Sequence, residues 1–230
     1  MKSEAGAADN SSAEKKRGAH AATKVIAQRV CECRRCMCIA AKTELEEYSM
    51  KKIYLVRHCK AGGQDPSAEL TDEGIEQAEL LSDFFSDKGI EVIISSPYTR
   101  AVSTIRPLSD KRMIKIQIDH RLSERVLSSE DLPDWMERLN DTFSDLDLKL
   151  TGGESSREAM IRGAAVITEL FHRPENNFIV VTHGNLMTLM LKHYDHRFGF
   201  GEWKSLTNPD VYELCKSDSA DHIEIRRLWK

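Results

Sequence analysis

Long apolar runs are missing from this chain. No stretch approaches the roughly 18 apolar residues that a membrane span needs. The first residues lack the basic-then-apolar layout of a secretory signal, so no membrane partner is expected and the expected location is the cytoplasm. Excess basic charge is missing too. Lys and Arg number 33 against 37 Asp and Glu, a formal net charge of −4, which gives no general reason to expect a nucleic-acid partner. There is no compact aspartate cluster of the kind that holds magnesium, and no internal repeat. The six cysteines are not spread out as a secreted disulfide framework would spread them. Four fall together as Cys31, Cys33, Cys36 and Cys38, while Cys59 and Cys215 stand alone. Four thiolates can hold zinc, but paired CxxC knuckles around a folded spacer are the stronger zinc signal. No metal and no cofactor are expected.

What is present is ordinary for a globular protein. The chain has 230 residues, 40% hydrophobic and 30% charged, enough for one α/β domain with a full core. Residues 1–49 differ from the rest: rich in Ala, Ser, Lys and Glu, they contain no Phe or Trp and no sustained strand pattern. Such a stretch buries too little apolar surface to offset its ordering entropy. It reads as a disordered extension, or as sequence upstream of a natural start at Met50. Residues 50–230 read as the folded domain.

From Met50 on, strand and helix signals alternate. Strands are expected at 52–57, 90–95, 114–118 and 177–182, with a closing hairpin at 211–215 and 222–229. A helix is expected to start at Thr71, a good N-cap followed by Asp72 and Glu73. Ile75, Ala78, Leu81 and Phe85 recur at helical spacing, and Gly89 suits the C-terminal cap. Further helices are expected at 97–107, 130–145, 154–172 and 185–193. The order predicts a three-layer α/β/α sandwich, its sheet mainly parallel with antiparallel edge pairing.

Two of these strands end on histidine: Ile53-Tyr54-Leu55-Val56-Arg57-His58 and Phe178-Ile179-Val180-Val181-Thr182-His183-Gly184. Carboxyl ends of parallel strands border the ligand crevice of an open α/β sheet. If the two strands are neighbours, two imidazoles and the Arg57 guanidinium converge. Ser95-Ser96-Pro97-Tyr98-Thr99-Arg100 puts a second arginine in the first turns of a helix, where anions are favoured. Arg121-Leu122-Ser123-Glu124 places a carboxylate in a loop. Phosphoryl transfer through histidine needs this set. Neutral imidazole attacks phosphorus, arginine forks neutralise phosphate oxygens, a second histidine stabilises developing charge, and a carboxylic acid protonates the leaving oxygen.

Leu55-Val56-Arg57-His58, Leu70-Thr71 with Gly74 and Gln77-Ala78, Ser95-Ser96-Pro97 with Arg100-Ala101 and Thr104, Gly153-Glu154-Ser155, and Thr182-His183-Gly184 follow one another along the chain. In that order they resemble the successive signatures of the histidine phosphatase superfamily, the phosphoglycerate-mutase-like group, over residues 50 to 215. The resemblance makes His58 the phosphate-accepting nucleophile. It makes Arg57, Arg100 and His183 the phosphate pocket, with the Gly184 amide a further donor, and Glu124 the acid. Gln64 falls where the family often has an Asn that touches the phosphate. Two positions depart from the family: Cys59 and Ala61 stand where Gly and then Thr or Ser usually follow the nucleophile.

Cys59 is expected as an inert packed residue rather than an oxidisable thiol. Glu124 has a solvated loop acid as its alternative, and Glu154 reads as a first-turn helix residue. His193 and His196 read as surface residues, and Trp135, Leu139 and Phe143 as a core face. The expected activity is metal-independent phosphomonoester hydrolysis through a phosphohistidine, on a small phosphorylated substrate. A cofactor-dependent phosphoglycerate mutase is the alternative within the family. It is disfavoured because Arg125-Val126-Leu127-Ser128 replaces that group's Arg-His-Tyr-Gly. A non-catalytic phospho-ligand-binding domain is the alternative outside it.

Overall fold

β-branched and aliphatic runs build the centre of the sheet. In the computed structural model, which describes residues 50–216 and 222–229, the strands are β1 (Lys51–Arg57), β2 (Val92–Ser95), β3 (Ile116–Ile118), β4 (Asn177–Thr182), β5 (Asp210–Lys216) and β6 (Glu224–Trp229). The expectations for residues 1–49, including the cluster Cys31, Cys33, Cys36 and Cys38, lie outside the described residues. Between the strands run α1 (Asp72–Phe84), α2 (Thr99–Arg112), α3 (Trp135–Ser144), α4 (Ser156–Phe171), α5 (Gly184–Tyr194) and a short α6 (Phe200–Lys204).

The six strands lie in the order β3-β2-β4-β1-β5-β6. β1 and β2 both pair in parallel with β4, and β3 pairs in parallel with β2. The β5–β6 hairpin closes one edge antiparallel to β1. Alternation along β1 sends Ile53 and Leu55 to one face and Tyr54 and Val56 to the other. The first pair packs with Ile167 and Leu170 of α4 and Leu186 and Met190 of α5. The second packs with Leu81 of α1 and Ile105 and Leu108 of α2. Helices therefore cover both faces, giving the expected three-layer α/β/α sandwich. Phe178, Ile179, Val180 and Val181 of β4 are wholly buried, as the middle strand of a sheet covered on both faces must be.

Local chemistry sets several boundaries. Thr71 caps α1, its hydroxyl accepting from the Gly74 amide at 3.1 Å. α1 ends at Phe84 and Phe85 is its cap; Gly89, expected as the cap, lies in the turn to β2 with φ +60°. Ala78, Leu81 and Phe85 are buried, but Ile75 in the first turn is 54% exposed. α2 runs past Pro107 to Arg112 rather than stopping at the proline. A mid-helix proline costs about 3 kcal/mol; burial of Thr104, Ile105 and Leu108 on the sheet offsets it. α4 starts after Ser155, which forms a capping box with Glu158. Glu154, expected in the first turn, precedes that cap and pairs with Arg162 at 2.7 Å.

The loop after β3 is held against the loop before α4. The Ser129 amide donates to the Thr151 carbonyl at 2.9 Å, and the Glu154 amide to the Val126 carbonyl at 2.8 Å. Gly153 makes this approach possible, because a Cβ there would collide with the Leu127 carbonyl. The expected helix at 130–145 begins only at Trp135. Its Leu139 and Phe143 are core residues, whereas Trp135 is 46% exposed.

Candidate active site

Strand order brings the two histidines together. The ladder runs one residue past each strand: the His58 amide donates to the Thr182 carbonyl at 3.0 Å, and the Ser96 amide to the Val181 carbonyl at 2.9 Å. The residues just beyond β1, β2 and β4 thus share one carboxyl-end edge. The His58 and His183 rings lie 5.1 Å apart, inclined at 61°. Arg57 is the last residue of β1, and Arg100 stands in the first turn of α2.

His58 is oriented by its neighbour. Its Nδ1 lies 2.7 Å from the Cys59 carbonyl, an acceptor only, so Nδ1 carries the proton and Nε2 keeps its lone pair. The Arg100 Nε–H donates to that Nε2 at 3.2 Å. Burial is the main cause that pushes the His58 imidazolium down to about 4; the Cys59 carbonyl opposes this, and the Arg100 and Arg57 charges add to it. The Cys59 amide donates to Thr104 Oγ1 at 2.8 Å, and that hydroxyl donates to the Arg100 carbonyl at 2.7 Å. The Asn208 side-chain amide donates to the His58 carbonyl at 2.7 Å.

The two arginines are fixed differently. Arg100 is 1% exposed, and its Nη1 donates to the carbonyls of Gln64 (3.2 Å) and Asp65 (2.8 Å). Gln64 therefore meets the site through its backbone, and its residue is exposed. Arg57 Nη1 donates to the Leu206 and Thr207 carbonyls at 3.2 and 3.3 Å, while its buried Nε has no partner among the described residues. Burial lowers both guanidinium values, and the nearby Glu124 charge opposes the shift in each. Gly184 packs on Arg57: a Cβ there would stand 3.1 Å from Cζ and Nε.

Glu124 sits on the amino end of α5. Its Oε2 accepts from the Asn185 amide at 3.1 Å, and its Oε1 from the Leu186 and Arg125 amides at 3.0 and 2.8 Å. His183 is wholly buried, with Ser96 Oγ 2.7 Å from its Nε2 and the Tyr98 ring 4.8 Å away edge-on. Burial, then the charges of His58 and Arg100, hold its imidazolium well below the ordinary range. Two neutral imidazoles and two arginines so arranged can receive an oxyanion and attack its central atom.

Other singled-out residues stay outside. Cys59 is wholly buried, and burial pushes its thiol up to about 12. His193 and His196 are exposed. Ser96, Tyr98, Thr104 and Asn208 touch the core groups without having been assigned a role. Ser96, Tyr98 and Thr104 lay within a recognisable segment; Asn208 carried no sequence signal.

The sequence profile of the histidine phosphatase superfamily (branch 1) matches residues 53–222. Phosphoserine phosphatase 1 of Hydrogenobacter thermophilus is 28% identical over 155 residues, covering 57% of this chain and 70% of that protein. A second protein of that organism is equally identical over 153 residues. Among solved structures, a mycobacterial glucosyl-3-phosphoglycerate phosphatase superposes with a TM-score of 0.63 at 20% identity, covering 78% of this chain and 98% of that one. The α-ribazole phosphatase of Shigella flexneri gives 0.61 at 19% identity, covering 78% and 96%. These structural likenesses concern the fold.

Proposed function

Since the chain belongs to the histidine phosphatase superfamily, we propose that it hydrolyses phosphomonoesters of small molecules through a phosphohistidine on His58. One observation carries the reading: the Cys59 carbonyl takes the proton side of the His58 ring, and Nε2 faces the Arg100 guanidinium. A nucleophile must present a lone pair, and a phosphate must be neutralised where that lone pair reaches it.

Substrate phosphate would sit between Arg57, Arg100 and His183, with the Gly184 amide as a further donor. Its oxygens replace the Nε2 lone pair as the acceptor of the Arg100 Nε–H. His58 Nε2 then attacks in line, forming the N–P bond as the ester P–O bond breaks. Glu124 gives its proton to the leaving oxygen. In the second step it takes one from the water that cleaves the N–P bond. Gln64 contributes its carbonyl, which aims Arg100. The relatives named for phosphoserine, glucosyl-3-phosphoglycerate and α-ribazole phosphate support a phosphatase. A mutase would need further cations for a second phosphate. The next arginine along the loop, Arg125, is already engaged with Thr142, Ser156 and the Glu154 carbonyl.

The test is rapid quenching of the protein with a reactive phosphomonoester. An acid-labile phosphoryl group on wild type, absent from His58→Ala, is expected. Absence of label on wild type, or label surviving His58→Ala, overturns the mechanism.

A further inference from the structure

We propose that Ser96 is a positioning residue that locks His183 as the tautomer with its proton on Nδ1, aiming a buried N–H at the phosphate. The Ser96 hydroxyl has two partners. The Tyr98 amide donates to its oxygen at 3.3 Å, and His183 Nε2 lies 2.7 Å away. A backbone amide can only donate, so it occupies a lone pair of Oγ and leaves the hydroxyl proton directed at Nε2. Nε2 is then the acceptor, and the ring proton must sit on Nδ1. The opposite tautomer would make Oγ accept twice and leave its own proton without an acceptor, in a residue with no exposure. A buried hydroxyl proton left without an acceptor in this way is costly.

The other end of the ring shows what the tautomer is for. His183 Nδ1 is buried and has no partner among the described residues. His58, Arg57 and Arg100 all bear on this ring electrostatically, so it belongs to the same cluster. An N–H there is an unsatisfied donor ready for an oxyanion; a lone pair there would repel one. The Tyr98 ring stands edge-on to His183 at 4.8 Å and carries the Arg100 guanidinium over its face at 4.8 Å. One short segment, Ser96–Arg100, therefore sets both the proton of His183 and the seat of Arg100.

The tautomer assignment stands on the free protein's geometry, while its catalytic use rests on the phosphatase reading. The experiment therefore has two arms. In the first, long-range 15N–1H correlation on histidine-labelled full-length protein reads each ring's tautomer at neutral pH. His183 is expected as the Nδ1–H form in wild type, and as the Nε2–H form or a mixture in Ser96→Ala, with the His58 signals unchanged. An Nε2–H form of His183 in wild type overturns the proposal, whatever the enzyme does. In the second arm, Ser96→Ala is expected to lower kcat/KM for a reactive phosphomonoester by about tenfold, the upper range for one neutral hydrogen bond. Ser96→Thr, which keeps the hydroxyl, restores both tautomer and rate. A Ser96→Thr protein with the wild-type tautomer but the Ser96→Ala rate overturns the positioning role. Loss of all activity in wild type would remove the phosphatase reading and leave the tautomer assignment to the first arm.

Discussion

Acidification from pH 7.5 to 5 will destabilise this protein chiefly through its two central histidines. His58 has an ordinary value of 6.5 in the unfolded chain and about 4 in the fold. A depressed value means that the fold prefers the neutral ring. Its contribution is fully present above pH 6.5 and is lost as the pH falls towards 4. At about 1.4 kcal/mol per pH unit, His58 alone accounts for about 2 kcal/mol of lost stability by pH 5. His183 acts in the same direction. The window matters, because the carboxylates held low by their partners, such as Asp119 and Glu169, titrate beneath it. Urea unfolding at pH 7.5 and 5 measures the effect directly. With a slope of roughly 2 kcal/mol/M, the His58 contribution appears as a midpoint shift of about 1 M urea. His58→Gln removes the titrating ring, and its midpoint should fall by about 1 M less than that of wild type. Equal falls in the two proteins would refute the reasoning, since His58 would then take up no extra proton on unfolding. The same neutrality predicts that a His58-dependent rate persists well below pH 6.5.

Gly184→Ala should leave the thermal midpoint within about 2 °C of wild type and raise KM about tenfold, because its methyl displaces the Arg57 guanidinium; steady-state kinetics beside a thermal melt checks this, and an unchanged KM would count against the contact. Glu124→Gln should lower kcat/KM, which reports the phosphorylation step alone, by about 10²–10⁴-fold with a poor leaving group, the usual worth of general acid catalysis, and by much less with p-nitrophenolate, which needs no proton to depart. A similar loss with both leaving groups would argue against a proton-donating role. Cys59 should resist alkylation at pH 7 in the native state and react after unfolding, as peptide mass mapping would show; burial and a thiol held near 12 both protect it.

Much of the frame was legible in local pattern. Thr71 before Asp72 and Glu73, the apolar runs of β1 and β4, and the strand-end histidines each carry their signal within a few residues. Where local rules failed, tertiary packing prevailed. Pro107 did not stop α2, because the buried face of that helix outweighs one missing amide. Glu154 did not enter α4, because Ser155 and Glu158 make the better cap and Arg162 takes the acid.

The sequence by itself determined which groups meet in this protein: two histidines and two arginines, at the ends of strands and the start of a helix. Tertiary structure alone decided how they face one another. Placing β4 between β1 and β2 seats His183 beside both His58 and Ser96, and the returning loop sets Glu124 on the amides of α5. Asn208 reaches the His58 carbonyl across 150 positions. Hydrophobic period and turn chemistry act over a few residues, so they fix strands, helices and caps. Ring protons and carboxylate partners depend on strand order, which no local period encodes.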